Sequence, residues 1–236
     1  MRQSEKMAKS LIKRPPPLGD EVYNAIYARL MSLKIPPGGR ISIDSLARDL
    51  GVSQTPVREA LSRLEEQGLV VKTHLMGYSA ADQMAVERFD QLYELRLLLE
   101  PVAAARAAAN MSKESKKALA KLSQSIEPGS KMSLTAYGHF ARKDQEFHEL
   151  IAQGSGNELI RECLARLHIH VHLFRLFYHA HAAQAAFDEH QTIVTAIIAG
   201  DSEASADAMR EHIERSRERF RPAFDSGTTD LPLLLP

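Results

Sequence analysis

Residues 43 to 64 read IDSLARDLGVSQTPVREALSRL, and the fold of the chain turns on this stretch. Ile43, Leu46, Ala47 and Leu50 recur at helical spacing and form one apolar stripe. Gly51 follows the last of them, where a left-handed helix cap favours glycine. Ser53 or Thr55 can cap a second helix, because a side-chain oxygen there satisfies orphan amide groups, and Pro56 fits a first turn. In that second helix Val57, Leu61 and Leu64 point inward, while Gln54, Arg58, Ser62 and Glu65 fall on the opposite face. A short helix, a glycine turn and a helix with a polar outer face make the helix-turn-helix plan, whose second helix enters the major groove of DNA. An ordinary helical hairpin has the same periodicity, so the pattern alone leaves both open.

The longer run PPGGRISIDSLARDLGVSQTPVREALSRLEEQGLV resembles the winged helix-turn-helix of the GntR family of bacterial transcription regulators. The segments LARDLGVS, TPVREAL and RLEEQGLV carry the likeness, which covers about residues 18 to 80. The resemblance implies a DNA-reading surface built from Ser53, Gln54, Thr55 and Arg58. Lys72 and His74 lie where a wing can reach a neighbouring groove or phosphate. One position departs: the family usually has Arg where this chain has Gln54. Arg favours the O6 and N7 acceptors of guanine, whereas Gln favours the N6 and N7 groups of adenine, so the operator preference is expected to differ.

Composition is that of an ordinary globular chain, with 44% hydrophobic and 25% charged residues and a net charge of +0. The distribution is more telling. Residues 1 to 80 hold 12 Lys/Arg against 8 Asp/Glu, and the remainder 18 against 22. A basic N-terminal part can lean on phosphates while an acidic remainder stays off them. The balance excludes a protein that coats DNA regardless of sequence, which needs a strong basic excess. Cys163 is the single cysteine, so no intrachain disulfide forms, and its setting in ECLARL suggests a buried thiol. No secretory signal pattern or long apolar run is present, and the chain reads as cytoplasmic with no membrane partner.

Residues 1–17 are polar and basic and end in three prolines, a disordered arm. Val22, Ile26 and Leu30 mark a first helix, closed by Pro36-Pro37-Gly38-Gly39. Leu69-Val70-Val71 and Tyr78-Ser79-Ala80 flank a turn at Gly77 and predict a two-stranded wing. From 82 to 220 everything reads helical: one long segment over 84–109, then helices near 113–126, 132–153, 157–180, 183–199 and 202–220. Breaker signals at Pro128-Gly129, Gly154 to Asn157 and Gly200-Asp201 support these cuts. Residues 221–236 read as a flexible tail. The expected architecture is therefore mainly α: a winged helix-turn-helix with a small β-wing over 18–80, and an all-α bundle over 82–220.

The bundle half resembles the FCD effector-binding domain of the FadR-type branch of the same family. YELRLLLEPVAA (93–104), DQEFHELIAQGSGNELI (144–160), EHQTIVTAIIAGD (189–201) and MREH (209–212) carry the likeness. Asp144 and His148 stand at i and i+4 on one helix, and His190 and His212 lie on two later helices that a bundle can fold back. By themselves such residues are more often surface chemistry than metal ligands. The resemblance implies a metal on these four positions, and one carboxylate with three imidazoles suits Zn, with Ni, Mn or Fe(II) also compatible.

A cation with an open coordination position gives an acidic metabolite a point of attachment. Arg96 can supply a second anion contact through its planar fork, or pair internally with Glu100 at i+4; Arg175 is a weaker candidate of the same kind. His168 and His172, also i and i+4, read as a partly buried polar face or as pocket polarity, and His139, His179 and His181 as solvated. Taken together, the expectation is a transcription regulator and not an enzyme. It binds double-stranded operator DNA with inverted-repeat symmetry as a homodimer, usually as a repressor, and takes a small organic acid in its bundle. The alternative is a metal-dependent hydrolase or lyase carrying a DNA-binding appendage.

Overall fold

The computed structural model describes residues 17–125, 134–169, 173 and 180–225. The N-terminal unit is built on three helices, α1 (Leu18–Met31), α2 (Ile43–Leu50) and α3 (Gln54–Glu66). Val22, Ile26 and Leu30 of α1 pack against Leu46 of α2 and Val57, Leu61 and Leu64 of α3, all buried. Fully burying one such side chain is worth about 1.5–3 kcal/mol, so the two inward stripes read from the sequence hold the unit together. Ser42 caps α2 by accepting from the Ser45 amide, and Gly51 ends it at φ 67°. Ser53 occupies the cap position of α3, but its side chain makes no capping hydrogen bond.

The wing is β2 (Val70–Thr73) paired antiparallel with β3 (Gly77–Ala80), with Val70 opposite Ala80 and Lys72 opposite Tyr78. A third strand, β1 (Arg40–Ile41), adds to the other edge of β3. Two residues are too few to show periodicity, which is why this strand has no signature in the sequence.

The C-terminal unit is helical among the described residues: α4 (Val86–Asn110), α5 (Lys113–Gln124), α6 (Leu134–Gly154), α7 (Glu158–Leu167), α8 (Ala180–Ala199) and α9 (Ser202–Phe220). Side-chain caps set three of the starts: Ser112 on α5, Asn157 on α7 and Asp201 on α9. Helix α4 carries Pro101 in its interior, which removes one amide from the ladder beside Glu100. Tyr93 of α4 and Ser216 of α9 share a buried hydrogen bond of 2.8 Å.

Three expectations need correction. The helix expected over 157–180 does not run through: α7 stops at Leu167, and His168 turns left-handed at φ 45°. The expected tail begins with ordered structure, since Pro222–Asp225 form a short helix, α10, whose Phe224 ring lies 4.9 Å from that of Phe89. Cys163 is partly exposed, not buried. Residues 1–16 of the basic arm (1–17), Arg175, His172 and His179 fall outside the described residues, as does the side chain of His181. No described helix is long and apolar enough to cross a membrane.

The two units touch through α1 and α6. Arg142 of α6 lies over the Tyr27 ring at 4.7 Å and the Tyr23 ring at 5.7 Å, and its Nη1 donates to Asn24 Oδ1 at 2.9 Å. Burial pushes the Tyr27 phenol up to about 12 even with the Arg142 cation opposing it.

Candidate functional site

Helix α6 places Asp144 and His148 one turn apart, facing inward, because Phe147 and Ile151 on the same face anchor the helix in the core. Helix α8 brings His190 to the same point and α9 brings His212, and all four side chains are buried. The imidazoles of His148, His190 and His212 offer ligand atoms that lie within 4.8 Å of one another. Asp144 Oδ1 is 3.3 Å from His190 Nε2, so the carboxylate belongs to the same cluster. The Phe147 ring stacks on His190 at 4.1 Å between centroids and closes one side.

Two of the imidazoles are oriented from behind by carboxylates. His148 Nδ1 meets Glu100 Oε2 at 2.5 Å, and Glu100 accepts from Arg96 Nε at 2.6 Å. His212 Nδ1 meets Glu189 Oε2 at 2.7 Å, and Glu189 is held by Arg219 through two bonds of 2.5 and 2.9 Å. In each arm a carboxylate fixes the ring and engages Nδ1, which leaves Nε2 as the coordinating nitrogen.

Electrostatics favour neutral imidazole at His212. Burial, then the neighbouring His148 and Arg96, hold the His212 imidazole well below its ordinary value, against a smaller opposing pull from Asp144. Burial alone would raise Glu100, but the Arg96 guanidinium and His148 outweigh it and keep that carboxyl well below the usual range. Metal ligation needs neutral imidazole, the state that burial favours at His212, and a charged carboxylate behind the His148 ring, the state that Arg96 favours at Glu100. The residues present thus fit a divalent ion: a buried histidine triad that can hold a metal, a carboxylate beside it and oriented rings.

Beside the centre an opening lies between α4, α6 and α7, lined by His148, Glu100, Arg161 and His168 among others. Burial lowers the His168 imidazole pKa against an opposing pull from the main chain of Glu66, the last residue of α3, so a wall of this opening lies near the N-terminal unit. Arg96 is 1% exposed and is paired with Glu100, as the internal alternative supposed, yet its Nη2 has no hydrogen-bond partner among the described residues.

On the N-terminal unit Ser53, Gln54, Thr55 and Arg58 are all exposed along the start of α3, and Lys72 and His74 are exposed on the wing. Gln54 is not a free side chain: its Nε2 donates to Asp44 Oδ1, and its Oε1 accepts from Arg58 Nη2 at 3.1 Å.

Comparison with known proteins decides what these two units are. Residues 18–77 match the model of bacterial regulatory proteins of the gntR family, and residues 91–215 match the FCD domain. The chain belongs to the GntR family. This regulator is 30% identical over 219 residues to the HTH-type transcriptional regulator LutR of Bacillus subtilis, covering 82% of this chain and 97% of LutR. It is 26% identical over 222 residues to YdhC of the same organism, an uncharacterised HTH-type regulator, covering 92% and 96%. Among solved structures, Escherichia coli McbR/YncC has the same fold, with a TM-score of 0.66 at 21% identity over 88% of this chain and 99% of that one. A GntR regulator from Rhodococcus sp. RHA1 gives 0.64 at 20% identity over 87% and 98%.

The regulator is therefore a DNA-binding transcription factor with an FCD domain, and the enzyme alternative falls, since the family and these relatives are regulators. Asp144, His148, His190 and His212, the positions implied by the family resemblance, are brought together in the structure; Glu189 and Arg219 were not among them. Glu189 is the immediate neighbour of His190, and Arg219 lies two turns beyond His212, so helical spacing offered a faint signal for the second. Asp44 and Arg142 act across helices and had none.

Proposed function

We propose that this regulator represses transcription in the cytoplasm as a homodimer on an inverted-repeat operator, and that a small carboxylic acid bound at a metal in the bundle releases it. The observation that supports this most is the pairing of a buried histidine triad with a second, incompletely paired cation: Arg96 Nη2 has no partner among the described residues. Asp144, His148, His190 and His212 would hold the ion, with Zn the best match to three imidazoles and a carboxylate. Bound there, the ion would supply the positive charge that an anionic ligand needs inside an apolar bundle, with Arg96 as a second contact. The dimer reading rests on α4, where Leu98 is 64% and Val102 49% exposed. With Leu95, Ala105 and Ala109 they make one stripe at helical spacing.

Signal transfer has a physical route. Helix α6 carries Asp144 and His148, and two residues before Asp144 it carries Arg142, seated on α1. An acid that binds one arrangement of α6 and α7 more tightly than another shifts the placement of the DNA-binding unit by that difference in affinity. A thermal-shift screen of carboxylic acids with and without chelator tests the reading, run beside His190→Ala with elemental analysis. The expected result is an acid that stabilises only the metal-loaded parent, with loss of metal and of that stabilisation in the variant. Full metal content and unchanged stabilisation in His190→Ala would refute the metal-centred pocket.

A further inference from the structure

The elbow between α2 and α3 holds a side-chain network of three residues. Asp44 stands in the first turn of α2, Gln54 opens α3, and Arg58 follows one turn later, all three exposed. Gln54 Nε2 donates to Asp44 Oδ1, and Gln54 Oε1 accepts from Arg58 Nη2 at 3.1 Å. A carboxylate only accepts and a guanidinium only donates. The two neighbours therefore choose the orientation of the amide, because the flipped carboxamide would set oxygen against oxygen and nitrogen against nitrogen.

An amide group has two hydrogens and two lone pairs. Asp44 takes one hydrogen and Arg58 one lone pair, so one donor and one acceptor remain. That remaining pair is what adenine asks for, a donor to N7 and an acceptor from N6. Asp44 also carries a charge that repels phosphates at every sequence, so it lowers background affinity while contributing to selectivity only through what it holds.

We propose that Asp44 is a specificity-determining positioning residue, which fixes the Gln54 amide so that it discriminates one base of each half-site. The proposal rests on α3 being the helix that faces DNA.

Full-length parent protein, Asp44→Ala, Asp44→Asn, Gln54→Ala, Asp44→Ala with Gln54→Ala, and Arg58→Ala would each select from a random-sequence duplex library. Each would then be titrated with the parent's selected duplex and a scrambled one. Asp44→Ala should lose about tenfold in discrimination at one half-site position, within the range of a good bidentate contact. It should hold the scrambled duplex at least as tightly as the parent does. Asp44→Asn, whose side-chain oxygen can still accept from Gln54, should keep the preference while sharing the raised background. In the Gln54→Ala protein, Asp44→Ala should change that position no further. An unchanged preference in Asp44→Ala overturns the proposal. So does uniform weakening on all duplexes together with a lower melting temperature, which would mark Asp44 as a tether between helices. If Gln54→Ala keeps the parent's preference the proposal also falls, and Arg58→Ala then separates the two readings. Weakened binding leaves α3 as the DNA-facing helix, and unchanged binding removes that reading as well.

Discussion

At the scale of single residues, the chemistry lies in groups held in a chosen protonation state or orientation. His212 is kept neutral by burial, so in the unfolded chain it binds a proton that the folded chain refuses once pH falls below about 6.5. Glu100, held down by Arg96 and His148, works in the same sense. Its contribution is complete above the ordinary carboxylate value and is lost as pH falls through the lower folded value. Chelator-treated protein should therefore lose stability progressively on acidification from about pH 7. His212→Gln should show a flatter profile in the upper part of that range, as followed by urea melts. A parent profile that is flat, or that rises toward acid, contradicts the assignment. Arg58 is exposed one turn into α3, and Arg58→Ala should weaken operator binding by about 1–3 kcal/mol in gel-shift titrations and leave bundle stability unchanged.

Helices and turns make the next scale. Gly51 is the joint of the helix-turn-helix: its φ is 67°, and an added Cβ would meet nothing within 4 Å. The cost of Gly51→Ala is then backbone strain alone, about 1–2 kcal/mol. Gly51→Asn should recover much of the loss, because asparagine tolerates the left-handed region. Thermal melts of the two variants check this, and equal losses would mean that the joint is limited by space and not by conformation. His168 is the contrasting case. It takes up the same left-handed region without being glycine, at φ 45°, and ends α7 beside the opening next to the histidine centre. Its helical neighbours in sequence hide the break, since nothing in LARLHIHVH is a local terminator.

For the whole molecule, the proposed regulation requires the opening beside the histidines in one unit to act on α3 in the other. Arg142 is the side chain on the path that can be removed without touching the histidine centre or α3. Arg142→Ala should keep metal content and acid binding but shrink the change in operator affinity on adding acid, from a typical coupling of 1–3 kcal/mol toward none. Gel shifts with and without an acid found by the screen measure it, and undiminished coupling would direct attention to His168 instead. Assembly is tested on the full chain as well. Leu98→Glu with Val102→Glu places two charges on the exposed stripe of α4, where the monomer core is not involved. Sedimentation at micromolar concentration should show a dimeric parent and a monomeric variant with near-parent helicity. A variant that stays dimeric places the interface elsewhere.

What the sequence determined by itself is everything with a local period or a local stop. The inward stripes of α2 and α3, the Gly51 joint, the wing strands at Val70 and Tyr78 and the caps at Asn157 and Asp201 each answer to neighbours within a few positions, where backbone geometry sets the rules. The pairing of Asp144 with His148 belongs to the same class. That His190 and His212 face them was legible through resemblance, not through spacing, because the distance between helices is not written in any periodicity. Tertiary structure alone decided the rest. It set Glu189 and Arg219 behind His212, turned Arg96 inward onto Glu100, gave Gln54 to Asp44, and seated Arg142 on Tyr27. Each of these is a charged or polar group choosing a partner, most of them across helices, and such choices are settled by burial and packing, which follow only once the whole chain has closed on its core.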